Sequence, residues 1–206
     1  MNIKLGIITD FFLKIYNDKI IRSQYYQYKQ VSSKVFIIRN NKSRASRTIG
    51  KTIFLHELIF TKYSQRVQDF IFLHEYGHLT MNKYLKVILY PSLIFMAGSL
   101  AFFSFILVLN VAKYLVYPYS ITQNTIVNSF SLFLYAIFGF IGINWINELY
   151  AEIFAVNELG FDNYLNAINE IDKIRPKTFI NKIIDFVSLP PKSLRKPFLK
   201  LILNEN

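Results

Sequence analysis

Two stretches of the chain run without a charge for longer than a bilayer is thick. Residues 87–109 (VILYPSLIFMAGSLAFFSFILVL) and 125–146 (TIVNSFSLFLYAIFGFIGINWI) contain 23 and 22 residues. About 20 apolar residues cross the hydrocarbon core as a helix, so the pattern predicts a transmembrane hairpin joined by the loop 110–124. Pro91 is tolerated in such a helix. Tyr84, Tyr90, Trp145 and Tyr150 gather at one end, and Tyr114, Tyr117 and Tyr119 at the other, as interfacial belts require.

Outside these runs the periods are shorter. Residues 34–39 (KVFIIR) read as a strand and 47–55 (RTIGKTIFL) as a second, with a polar turn over 40–46. Gly50 inside the second predicts a bulge or a strand edge. A short helix is expected over 55–60. Next comes a longer helix that Ser64 can cap, with Val67, Phe70, Ile71, Phe72 and Leu73 as its apolar positions. After the hairpin, 147–159 reads as a helix stopped by Gly160. Asp162 can cap another that ends before Pro176, and helices over 177–187 and 192–203 are separated by Pro190-Pro191. Near the start, Lys4, Asp10, Lys14, Asp18 and Lys19 interrupt any secretory signal. An amphipathic helix beginning near Thr9 or Asp10 is expected there, burying Phe11, Phe12 and Ile15 either on the membrane surface or, the favoured option, against protein. The fold class expected is α+β, mostly helical. It divides into an N-terminal amphipathic helical segment (1–30), a small sheet with the longer helix (31–84), the hairpin (85–146) and a helical remainder (147–206).

Charge orients this arrangement. The chain carries a net +11. Residues 77–147 hold no acid, and only Lys83, Lys86 and Lys113 of the 24 Lys and Arg fall there, leaving 21 outside. The positive-inside rule then places both arms and both termini in the cytoplasm and the loop outside. With so apolar a chain (52% hydrophobic), the basic excess points to a bilayer surface rather than to nucleic acid. There is no cysteine, so any metal must be held by histidine and carboxylate.

The chemistry is concentrated in His74-Glu75-Tyr76-Gly77-His78. Two histidines four apart on a helix share a face and can reach one Zn²⁺. The glutamate between them is placed to take a proton from activated water. A catalytic zinc needs a third ligand. His56 has no second histidine four residues on and is set aside. Glu148 is the first acid after Glu75, and an antiparallel hairpin returns it to the membrane face that His78 left. Glu152 follows one turn later on the same helix face, placed to orient a ligand. Gln65, Arg66, Gln68 and Asp69 stand too close before the motif for it to lie inside the bilayer.

These residues resemble the HtpX-type and CAAX-prenyl-protease superfamily of membrane zinc metallopeptidases over residues 34–195. One block is Phe72-Leu73-His74-Glu75-Tyr76-Gly77-His78. A second runs from Glu148 through Ala151, Glu152 and Ala155 to Leu159-Gly160, with Glu152 where the family has Asp. The third is Ser188-Leu189-Pro190-Pro191-Lys192-Ser193-Leu194-Arg195. The resemblance implies a zincin-like domain and one zinc ion on His74, His78 and Glu148, with Glu75 as general base. It matches Arg195 to a family arginine, and makes 44–48 a substrate-binding edge strand. The substrates implied are membrane or membrane-proximal proteins. Leu189 departs from a family histidine, which leaves open an alternative: a zinc-binding membrane sensor of the same fold with weak or no catalysis.

Overall fold

The computed structural model describes residues 7–40, 46–117, 123–174 and 178–203. Most of the turn 40–46, including Arg44 and Ala45 of the expected substrate edge, lies outside them, as do 118–122 of the hairpin loop. In chain order the elements are α1 (Ile7–Tyr16), β1 (Lys19–Tyr28), β2 (Val31–Arg39), β3 (Arg47–Ile49), β4 (Thr52–His56), α2 (Leu58–Lys62), α3 (Gln65–Thr80), α4 (Lys83–Val116), α5 (Gln123–Leu159), α6 (Phe161–Ile174), α7 (Phe179–Ser188) and α8 (Lys192–Ile202). The chain is mostly helical with a small mixed sheet, as its patterning indicated. It forms two compact units: Met1–Met81 with Leu149–Asn181 and Lys192–Asn206, and Asn82–Glu148 with Lys182–Pro191.

In the first unit the strand order is β1-β2-β4-β3. β2 pairs antiparallel with β1 and parallel with β4, and β3 closes antiparallel on β4. The unbroken run Val35-Phe36-Ile37-Ile38 marks a strand covered on both faces, and all four residues are buried. Alternate residues feed separate cores. Val35 and Ile37 join Ile53, Leu55 and the α3 residues Val67, Phe70, Phe72 and Leu73. Phe36 and Ile38 join Ile49, Phe54 and Leu13 of α1.

Residues 1–30 are therefore not one helical segment. α1 stops at Tyr16 because Asn17 turns left-handed at φ 56, while the N–H groups of Asn17 and Asp18 return to the carbonyls of Lys14 and Leu13. That is an αL stop, which Asn tolerates. The next ten residues are strand β1. Its turn into β2 is Lys29-Gln30, with Lys29 at φ 50, and it lacks the Gly or Asn that marks such turns. α1 buries Leu13 and leaves Phe11, Phe12 and Ile15 exposed, so those three are not buried against protein as the favoured expectation had them.

The anticipated strand 47–55 is a hairpin. Gly50, at φ +61, and Lys51 turn the chain between the paired Ile49 and Thr52, so Gly50 serves a tight turn and not a bulge. The short helix starts at Leu58, after β4 has run on to His56. Ser64 occupies the N-cap of α3 without a side-chain capping bond. Instead Glu170 of α6 accepts from the Ser64 N–H (2.8 Å) and Oγ (2.6 Å). The expected separate helix over 147–159 is the continuation of the second apolar helix: α5 runs unbroken from 123 to 159 and stops at Gly160, φ +82.

In the second unit, α4 and α5 are long and apolar enough to cross a membrane. Ile94, Phe95, Phe102, Phe105, Tyr135 and Phe138 are all exposed, and the most apolar stretch of α4 buries nothing. A soluble core helix would bury such residues. The two helices are joined by Asn110 Nδ2 donating to Ser129 Oγ (2.7 Å) and by the fit of Met96 against Gly139.

The bonds from Ser64, the side chain's first, hold the Glu170 carboxyl below its usual range. A depressed carboxylate stabilises the fold above its unfolded pKa, and that contribution is lost as pH falls through the folded value. Glu170→Gln is expected to lower the melting temperature by ~1–3 °C at neutral pH. The gap from wild type should close on acidification below about pH 4. A gap that persists at acid pH contradicts the assignment.

Candidate metal centre

His74 and His78 lie on α3, one turn apart, with ring centroids 5.0 Å apart and planes at 87°. Rings so placed can turn one nitrogen each toward a common point. Ligand atoms of His74, His78 and Glu148 all lie within 4.8 Å of one another. Tetrahedral donors at about 2.1 Å from an ion stand roughly 3.4 Å apart, so small side-chain rotations close the set. Two imidazoles and a carboxylate form a donor set suited to a divalent metal. The three residues that the sequence nominated as ligands are thus brought together, across a separation of seventy residues.

The close approach of α5 to α3 explains how. A Cβ on Gly77 would stand 2.8 Å from Cα and O of Ala151 and 3.1 Å from Cβ of Phe154. Only glycine permits that contact. On α5, Ala151 and Ala155 are fully buried, small residues spaced one turn apart that admit the facing helix. Glu148 precedes Ala151 by three residues, also about one turn, and so shares its side of the helix. The Phe154 and Tyr76 rings meet nearby, tilted at 35° with centroids 5.6 Å apart.

Glu75 is 7% exposed. Thr48 Oγ1, on β3, lies 2.9 Å from its Oε2 and 2.8 Å from its backbone carbonyl, so the one hydroxyl proton can be given to either acceptor. Thr48 fell within the expected edge strand, but a threonine in a strand gives no sign that it holds a carboxylate.

Glu152 and Arg195 are brought together. Arg195 Nη1 donates to Glu152 Oε1 at 2.6 Å, with side chains 5% and 1% exposed. The Tyr164 hydroxyl donates to the same oxygen at 2.7 Å. Burial, and then the adjacent carboxylate, push the Tyr164 hydroxyl well above its usual range. The arrangement ties α5 to α6 and α8 one turn beyond Glu148. Among the described residues, Glu152 Oε2 and Arg195 Nε find no hydrogen-bond partner. Tyr164 was not among the sequence candidates. It lies on α6, twelve residues from Glu152, and only the turn at Gly160 brings it back.

His56 is not part of the metal set. It is 2% exposed at the end of β4. Nδ1 accepts from the Leu58 N–H (3.2 Å), and Nε2 faces the Asn40 carbonyl (3.2 Å). The Asn40 N–H also approaches Nε2 (3.3 Å), so both backbone groups of Asn40 meet that nitrogen. Leu189 lies between α7 and α8, half-buried, its N–H donating to the Asp185 carbonyl (2.8 Å).

Compared with protein-family models, curated proteins and solved structures, the chain finds no match. The functional reading rests on this geometry.

Gly77→Ala is expected to cost about 1–3 kcal/mol in stability through overpacking and to weaken divalent-metal binding. Calorimetric titration and melting check both; unchanged metal affinity would show that the close approach does not set the site. Arg195→Met leaves the Glu152 charge buried without its cation and should cost about 3–5 kcal/mol. The double variant Arg195→Met/Glu152→Met should recover much of that loss in chemical denaturation.

Proposed function

We propose that the chain is a membrane-bound zinc endopeptidase with a zincin-like catalytic domain, acting on membrane or membrane-proximal proteins. The observation that carries this reading is the convergence of His74, His78 and Glu148, with Glu75 between the two histidines in sequence. One zinc ion held by these three side chains would, when bound, lower the pKa of a water toward neutrality and polarise a scissile carbonyl. Glu75 takes the proton of the attacking water and passes it to the departing amine as the C–N bond breaks. The Thr48 hydroxyl lies within hydrogen-bond distance of Oε2 (2.9 Å) and aims the carboxylate. β3 ends the strand order, and an extended peptide can add to such an edge through backbone bonds that tolerate many sequences.

The same reading places the protein in the membrane as a two-helix hairpin. α4 leaves directly after the histidine helix, with Asn82 Oδ1 accepting from the Tyr84 N–H at its start (2.8 Å), and α5 returns with Glu148. The connection between the two helices holds no base beyond Lys113 in the last turn of α4, so the positive-inside rule puts catalytic domain and termini in the cytoplasm. Arg195, Glu152 and Tyr164 serve as positioning residues that hold the ligand helix.

The purified wild type should contain one zinc per chain and cleave an unfolded protein such as casein. Glu75→Gln should keep the zinc and lose activity by about 10²–10⁴-fold. Glu148→Ala should lose the zinc. Undiminished proteolysis by Glu75→Gln would overturn the assignment.

A further inference from the structure

α7 is ten residues long, too short to span a bilayer, yet one face is apolar and uncovered. Phe179, Ile183 and Phe186 fall at i, i+4 and i+7, a single helical stripe, and are 76%, 48% and 47% exposed. Lys182, also exposed, flanks the stripe.

The far end of α7 is fastened. The last carbonyls of a helix lack partners within it. Here Trp145 Nε1 donates to the Phe186 carbonyl (2.8 Å), and Asn144 Nδ2 donates to those of Val187 and Ser188 (3.1 Å each). The Trp145 and Phe186 rings meet edge to face at 5.4 Å. Asn144 and Trp145 occupy the end of the uncharged run 125–146 of α5. In a spanning helix that is the depth of the polar boundary, where tryptophan concentrates.

We infer that α7 is an in-plane membrane helix, its Phe179–Ile183–Phe186 stripe seated in the headgroup–acyl boundary of the bilayer leaflet where α5 ends. Three features select lipid as the occupant. The capping bonds set the depth. Phe186 of the stripe meets Trp145 of α5, and the next residue along α5, Ile146, is 52% exposed. Lys182 stands where a snorkelling lysine meets anionic headgroups. The inference rests on α4 and α5 spanning the membrane, and it adds a third, non-spanning attachment that sequence length alone would not reveal.

The absence of cysteine allows single nitroxide labels to be placed one at a time. Phe179→Cys, Ile183→Cys and Phe186→Cys are labelled in the full chain. The chain is reconstituted in vesicles of phosphatidylcholine with phosphatidylglycerol, with Phe138→Cys as the spanning reference and Lys51→Cys as the aqueous one. Relaxation by oxygen and by a water-soluble nickel chelate reports depth. The labels on α7 should favour oxygen over nickel at about 5–10 Å below the headgroup boundary, between the two references. If Phe138 reads as lipid and all three α7 positions read as water, the inference fails while the spanning reading stands. If Phe138 itself reads as water, both fail. Labels on α7 shielded from both reagents and broadened as protein density rises would mean that a second copy covers the stripe, and would overturn it. Because the three positions are exposed, loss of one variant to misfolding leaves two that decide the question.

Discussion

At Gly77 the backbone of α3 comes so near to α5 that a single added carbon would stand 2.8 Å from the backbone of Ala151. That approach is what lets a carboxylate seventy residues downstream share a point with two histidines. Packing interiors tolerate little adjustment, so helix separation here is a discrete choice. With hydrogen at this position the helices are in backbone contact; with a methyl group they are not. Ala151 and Ala155 complete the choice on the facing helix by presenting nothing larger than a methyl group.

The rest of the first unit holds α5 at that distance. Arg195 and Tyr164 converge on one oxygen of Glu152, a turn beyond Glu148, in a place where water cannot compensate either charge. Such a pair contributes little net stability against an apolar replacement, while losing one partner is costly. Its effect is therefore on which arrangement of α5, α6 and α8 is permitted. On the other side of α3, Thr48 of β3 meets Glu75, so the sheet holds Glu75 as α5 carries Glu148. The same α3 supplies Phe72 and Leu73 to the principal core, which gives the site a rigid backing.

The second unit follows a different rule. Its helices expose many apolar side chains, and among the described residues they meet through a polar pair at Asn110 and Ser129 and a glycine-to-methionine fit at Gly139. Its polar side chains are used at chosen points, above all at Asn144 and Trp145, where they satisfy the carbonyls that end α7.

Local pattern determined much of this protein. The two long apolar helices α4 and α5 were legible because uncharged length is itself the signal that the sequence carries for them. The motif at His74–His78 was legible because one helical turn fixes the spacing, and Glu148 because the acid-free stretch 76–147 left it as the first available carboxylate. Tertiary structure decided the rest. β1 was hidden because its turn at Lys29-Gln30 adopts a left-handed residue without the usual side chain. The hairpin at Gly50 was hidden because glycine serves bulges and turns alike. The face of α1 depended on which sheet surface Leu13 could reach. Thr48 and Tyr164 carry no local signature at all: a hydroxyl becomes part of a site only when folding sets it beside a buried carboxylate, and no period along the chain records that meeting.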